Sequence, residues 1–106
     1  MSHDKVSYHE IEPVAGAMHF LRSPLECEKL GFTVVECPPG WEGKPHDHAD
    51  EGEEEVYLLT EGEATISVEG EDIHLSAGDA LRVDPGARRQ ITNGDADSTF
   101  VIAGAP

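Results

Sequence analysis

The residues of this chain best suited to chemistry are two histidines and a glutamate. His46 and His48 stand two residues apart, and strand side chains alternate with a period of two, so both imidazoles are predicted to share one face. Two such rings can bind one metal ion through nitrogens at about 2.1 Å. Glu55 precedes the apolar run Val56–Leu59 and can direct its carboxylate to the same ion. This set leaves coordination positions open and suits Fe(II), Mn(II) or Zn(II).

The histidine pair is weak evidence by itself. Six of the 106 residues are histidines, and His-x-His pairs also arise by chance in loops. The remaining histidines stand alone and are assigned to the surface or to packing; they are His3, His9, His19 and His74. The metal hypothesis therefore depends on the elements that surround the pair.

Those elements are predicted to be short β-strands. Apolar or alternating runs of four to eight residues lie between Gly, Pro, Asp and Asn, which is typical of an all-β sandwich or barrel. One short helix is predicted over Ser23–Leu30, with Pro24 at its first position. The predicted strands are Met18–Arg22, Phe32–Cys37, Pro45–His48, Glu55–Thr60, Ala64–Glu69, Asp72–Leu75, Ala80–Val83, Arg89–Thr92 and Thr99–Ala103.

The length indicates a single domain over residues 1–106, near the commonest domain size. No apolar run reaches the 18 residues of a membrane span. The first residues carry no apolar signal region, so we expect a cytoplasmic protein. Cys27 and Cys37 are the only cysteines, and free thiols are the expected state in that compartment.

The charge is strongly negative, with 22 acidic and 7 basic residues and a net charge of −15. We expect no nucleic-acid partner, because phosphates would be repelled and no basic stripe exists. Disorder is rejected because apolar runs recur along the whole chain. Since the acids are spread out, a halophilic source explains them better than a patch for a basic partner does.

Two motifs resemble those of the cupin superfamily. The first motif of that family has the form Gly, five residues, His-x-His, a short gap, Glu, six residues, Gly. Gly40, His46, His48, Glu55 and Gly62 fit it, so motif one covers residues 40–62. The six residues between His48 and Glu55 exceed the family's usual gap. Glu53 or Glu54 is therefore an alternative ligand, although the spacing to the second glycine favours Glu55.

The second motif follows one hairpin later, over residues 78–93. Gly78, Gly86, Arg89 and Asn93 align with its pattern of Gly, five residues, Pro-x-Gly, two residues, His, three residues, Asn. Asp84 stands in place of the proline. Arg89 stands where the family has a histidine as its fourth metal ligand, and a guanidinium cannot bind a metal because it only donates hydrogen bonds.

The resemblance implies a single-domain jelly-roll β-barrel, most similar to small cupins of halophilic archaea. It implies a divalent metal ion on His46, His48 and Glu55, a small-molecule ligand inside the barrel, and a homodimer. Three functions stay open. They are a metal-dependent enzyme of dioxygenase or isomerase type, a non-catalytic binding or sensing module, and a cupin that has lost its metal.

The candidate substrate-binding residues are Arg89, Gln90, Tyr57 and Asn93. In one interpretation Arg89 points into the barrel and grips the carboxylate of a substrate. In the other, which we favour, Arg89 is exposed or paired with a glutamate and Gln90 turns inward instead, since long charged side chains are rarely buried without a partner.

Overall fold

The computed structural model describes residues 2–106, which form eight β-strands and one short 3₁₀ helix at Tyr8–Glu10. Within residues 2–106, no helix has both the length and the apolar character needed to span a membrane. The strands are β1 (Met18–Phe20), β2 (Gly31–Cys37), β3 (Glu54–Glu61), β4 (Glu63–Val68), β5 (Glu71–Ser76), β6 (Ala80–Val83), β7 (Arg89–Asn93) and β8 (Ser98–Ala105).

The strands pair antiparallel into two sheets. The larger sheet has the order β1-β2-β8-β3-β6, and the smaller one has the order β5-β4-β7. Apolar side chains from both sheets form one core, which confirms the predicted all-β fold. The central core residues are Val35, Tyr57, Leu59, Ala64, Ile66, Leu75, Val83, Ile91 and Phe100.

Alternation along β3 decides which of its side chains reach the interior. Tyr57 and Leu59 are buried at 2% and 0% exposure, whereas Val56 and Leu58, which alternate with them, are 39% and 37% exposed on the outer face. Glu55 has the same parity as Tyr57 and so points inward. The pattern places one carboxylate inside an otherwise apolar strand face.

Two predicted elements do not form. The segment Pro45–His48 makes one bridge, between His46 and Arg89, rather than a strand. Pro45 has no N–H to extend a ladder, and the N–H of His48 donates to the carbonyl of Pro85 at 2.8 Å. The predicted helix over Ser23–Leu30 is a run of turns. The backbone of Glu26 adopts a φ of 57°, which no right-handed helix accepts.

Candidate metal centre

His46 is fixed in position by its neighbour across the bridge. Its N–H donates to the Arg89 carbonyl at 3.0 Å, and its own carbonyl accepts from the Arg89 N–H at 2.8 Å. The ring Nδ1 lies 2.9 Å from the Lys44 carbonyl oxygen. Because a carbonyl only accepts, Nδ1 carries the proton and Nε2 keeps a free lone pair. This arrangement is the one that orients a metal-binding imidazole.

His48 faces His46 at nearly a right angle. The two ring centroids are 5.0 Å apart and the ring planes meet at 82°. Its Nε2 lies 3.4 Å from Oε2 of Glu55. Its Nδ1 is buried without a hydrogen-bond partner, and Oε2 of Glu51 is 3.8 Å away. The Nε2 atom is therefore the one directed at the candidate centre.

Glu55 uses its two oxygens for different contacts. Oε1 accepts a hydrogen bond of 2.7 Å from the hydroxyl of Tyr57, which leaves Oε2 on the side of His48. Gly104 lies opposite Glu55 on β8. A Cβ built there would lie 3.0 Å from the Cγ of Glu55, so the missing side chain gives the glutamate its room.

One ligand atom from each of His46, His48 and Glu55 lies within 4.8 Å of the other two. An ion with bonds of about 2.1 Å accepts ligand atoms up to roughly 4.2 Å apart. Two ligand atoms at the 4.8 Å upper bound would need to close by about 0.6 Å, which a small side-chain rotation supplies. Two imidazoles and one carboxylate on one side of a cavity fit a divalent cation.

The alternative carboxylates are engaged elsewhere. Oε2 of Glu53 lies 2.7 Å from the Arg22 guanidinium, and Oε2 of Glu54 lies 3.5 Å from that of Arg82 on the outer face. Neither belongs to the group formed with His46 and His48. The long gap after His48 is taken up by turns over residues 49–52.

The three side chains line a cavity of about 300 Å³, at the lower end of small-molecule sites. Most of its remaining wall is apolar. The lining residues are Met18, Phe20, Thr33, Trp41, Gly43, Lys44, His46, His48, Glu55, Tyr57, Arg89, Ile91 and Ile102. The candidate metal centre is therefore open to a ligand of modest size.

Arg89 lines this cavity and is only 1% exposed. The interpretation that we favoured from the sequence, an exposed or glutamate-paired Arg89, is wrong. The cause is strand alternation, because Arg89 shares the inner face of β7 with Ile91. Its Nη2 donates to the carbonyl of Asp84 at 2.9 Å, and its Nε and Nη1 have no partner.

Gln90 and Asn93 do not line the cavity. Gln90 lies on the opposite face of β7, where its amide donates to the Gly43 carbonyl at 2.9 Å, so the expected inward turn does not occur. Asn93 is 4% exposed. Its amide donates to the carbonyls of Cys37, Pro38 and Ala96. Those bonds tie the chain together and leave no donor for a ligand.

Tyr57 lines the cavity with its hydroxyl on Glu55. Burial, followed by the neighbouring Glu55 carboxylate, raises the pKa of Tyr57 far above its ordinary value. The phenol therefore stays protonated and acts as a permanent hydrogen-bond donor to Glu55, the candidate metal ligand.

Comparison with known proteins agrees with this architecture. A family model described as "Cupin domain" matches residues 33–103. The chain belongs to the cupin family. A cupin protein from Bacteroides fragilis has a similar structure, with a TM-score of 0.83, 27% identity, and coverage of 99% of this chain and 85% of that one. A predicted oxalate decarboxylase from Thermotoga maritima has a TM-score of 0.77 at 27% identity, covering 95% of this chain and 97% of that one.

A curated relative is also similar in sequence. An oxalate-binding protein of Thermotoga maritima is 35% identical over 71 residues, which cover 66% of this cupin. The aligned region spans 57% of that relative's length.

Several residues that shape the cupin cavity were not singled out from the sequence. Met18, Phe20 and Thr33 come from β1 and β2, and Ile102 comes from β8. Gly104 makes space for Glu55. Period-two alternation in those strands identifies inward positions, but the pairing of β1 with β2, β2 with β8 and β8 with β3 is what brings them to the candidate metal centre.

Proposed function

We propose that this cupin binds one divalent metal ion through His46, His48 and Glu55 and holds a small molecule in the adjoining cavity. The observation that carries the proposal is the convergence of three ligand atoms within 4.8 Å at the cavity wall. When bound, such an ion supplies Lewis-acid or oxygen chemistry at its open positions. A two-histidine, one-carboxylate set suits Fe(II), Mn(II) or Zn(II).

Within this proposal, neighbouring residues orient the metal ligands and shape the cavity. The backbone carbonyl of Lys44 accepts a hydrogen bond from Nδ1 of His46 and so keeps the proton on that nitrogen. Tyr57 holds one oxygen of Glu55 so that the other faces the histidines. Met18, Ile91 and Ile102 line the same cavity with apolar groups that exclude water. A dioxygenase or isomerase type of reaction is consistent with such a site.

A binding module without turnover is the second candidate. It is favoured by the similarity to an oxalate-binding protein, and by a cavity wall that offers few groups able to transfer a proton. The third candidate, a cupin that has lost its metal, is the outcome if no ion is found.

Elemental analysis of protein purified without chelator and without an affinity metal tests the proposal. We expect close to one equivalent of a transition metal per chain in the wild type, and less than a tenth of that in His48→Ala. Arg88→Gln, changed at an exposed residue, serves as a control and should keep the metal. A wild-type protein that stays metal-free after incubation with Fe(II), Mn(II) and Zn(II) would exclude the metal and favour the third candidate.

We also propose a single cupin domain over residues 1–106 that acts as a cytoplasmic homodimer in a halophilic organism. The net charge of −15 supports the halophilic part. Val56 and Leu58 support the dimer, because both are exposed on the outer face of the larger sheet. Sedimentation in molar salt should give a dimer, and a monomer at all concentrations would contradict that part.

A further inference from the structure

Arg89 is a buried cation with no counter-ion among residues 2–106. Its side chain is among the largest fully buried ones, at 1% exposure. Within residues 2–106, each salt bridge joins other groups, and no carboxylate oxygen lies within 4.0 Å of this guanidinium. Glu55, the acid in the same cavity, contacts Tyr57 and His48 instead. A buried unpaired charge is costly and is normally matched by a partner.

The free donors of Arg89 retain the shape that recognises a carboxylate. Nη2 spends one of its two N–H groups on the carbonyl of Asp84, and Nε and Nη1 are unbonded. One N–H of Nη2 lies beside the N–H of Nε and the other lies beside an N–H of Nη1. Whichever of the two bonds Asp84, the other remains paired with a free neighbour. One complete two-donor edge is therefore left in either case, and such an edge binds both oxygens of a carboxylate.

The backbone places Arg89 directly across from His46 of the candidate metal centre. Arg89 and His46 form a bridge with hydrogen bonds in both directions, and directly opposed residues of an antiparallel pair project to the same face. Both side chains line the same cavity. A carboxylate held by Arg89 therefore lies in the same cavity as the His46 ring.

The cavity is poor in negative charge although the chain carries −15. Glu55 is the one acidic residue among its lining side chains, against the cations Arg89 and Lys44. A divalent ion on the proposed ligands adds two further positive charges. An anion entering this cavity therefore meets attraction that the outer surface does not offer.

We propose that Arg89 binds the carboxylate of a small ligand whose apolar body packs against Met18, Phe20 and Ile102. This inference rests on the proposed function for the placement of the ligand beside the metal centre, and it names the class of ligand that the centre takes. Arg89 occupies the position where the resemblance leads one to expect a histidine as the fourth metal ligand. With arginine there, a contact with the small molecule's carboxylate takes the place of a histidine bond to the ion.

Benzoate tests the inference, because it joins a carboxylate to a small apolar ring. Calorimetric titrations use zinc-loaded and chelator-treated protein, each as wild type, Arg89→Gln, Arg89→Lys and the matched control Arg88→Gln. We expect Arg89→Gln to weaken benzoate binding by about 10- to 100-fold, as the loss of a charge-assisted two-donor contact implies. Arg89→Lys keeps the charge but lacks the edge, and should bind between the two. Arg88→Gln should match the wild type.

Two further readouts separate ligand binding from a structural role. Without benzoate, Arg89→Gln should melt at the same temperature as the wild type or higher, because it removes an uncompensated buried charge. Benzyl alcohol, which has the ring without the charge, should bind wild type and Arg89→Gln equally. If oxalate binds more tightly than benzoate, the claim that the ligand has an apolar body is overturned.

Equal benzoate affinity in wild type and Arg89→Gln overturns the inference, as does wild-type protein that holds zinc but no benzoate. If Arg89→Gln does not fold, the comparison of Arg89→Lys with wild type decides in the same way. If the wild type holds no zinc, the proposed function fails. The inference is then judged on the chelator-treated protein, where Arg89-dependent binding upholds it and its absence overturns it.

Discussion

Removal of the Tyr57 hydroxyl should weaken metal binding while the fold persists. The hydroxyl donates to Oε1 of Glu55 at 2.7 Å, and Oε2 of the same carboxylate is the atom near His48. In Tyr57→Phe the ring remains, with its edge contact to Phe100 at 6.4 Å between centroids. Loss of an outer partner of a metal ligand typically costs 10- to 100-fold in affinity. We therefore expect a zinc dissociation constant about 10- to 100-fold higher.

The assay is competition for zinc against a chromophoric chelator, with wild type, Tyr57→Phe and Tyr8→Phe compared side by side. Tyr8 is the matched control, because its hydroxyl donates to Glu36 at 3.3 Å and makes no contact with the centre. Circular dichroism should show the same β spectrum for all three proteins. If Tyr57→Phe binds zinc as tightly as the wild type does, the role assigned to the hydroxyl is refuted.

Three further predictions concern stability. Asn93→Ala should lower the free energy of unfolding, measured by urea titration, by about 2–4 kcal/mol. The reason is that Asn93 donates to three carbonyls and accepts from Ser98 at 2.7 Å. A loss under 1 kcal/mol would contradict this structural role. In metal-free protein the wild type should lose stability relative to Tyr57→Phe as pH rises above about 10. The unfolded tyrosine ionises there whereas burial raises the pKa of Tyr57 in the folded state, so the folded state binds more protons and stability falls with pH; parallel curves for the two proteins would count against this. The melting temperature should rise between low and molar potassium chloride, since salt screens the self-repulsion of a net charge of −15; a flat or falling curve would argue against the halophilic proposal.

Much of the architecture follows from local patterns in the sequence. The predicted strand Glu55–Thr60 lies within β3. Ala64 and Ile66 both enter the core, as their shared face indicates. The expected free thiols of Cys27 and Cys37 are also found. Such features depend on period-two alternation and turn chemistry, which a sequence carries directly.

The surroundings of the candidate metal centre were harder to predict, because they depend on pairing between distant segments. His46 and His48 meet Glu55 without the predicted strand at Pro45–His48, since one bridge to Arg89 holds the segment in place. The inward direction of Arg89 contradicts the general preference of charged side chains for the surface. That preference describes average energetics, and the proposed binding of an anion would give this site a functional reason to depart from it.

The measurement that tests the central claim most directly is anomalous diffraction from crystals grown with zinc. We predict a single strong peak from a zinc ion bonded to Nε2 of His46, Nε2 of His48 and a carboxylate oxygen of Glu55, with the Arg89 guanidinium nearby but not bonded to the ion. No peak at this position, or a peak on other residues while these three side chains point apart, would contradict the proposed metal site.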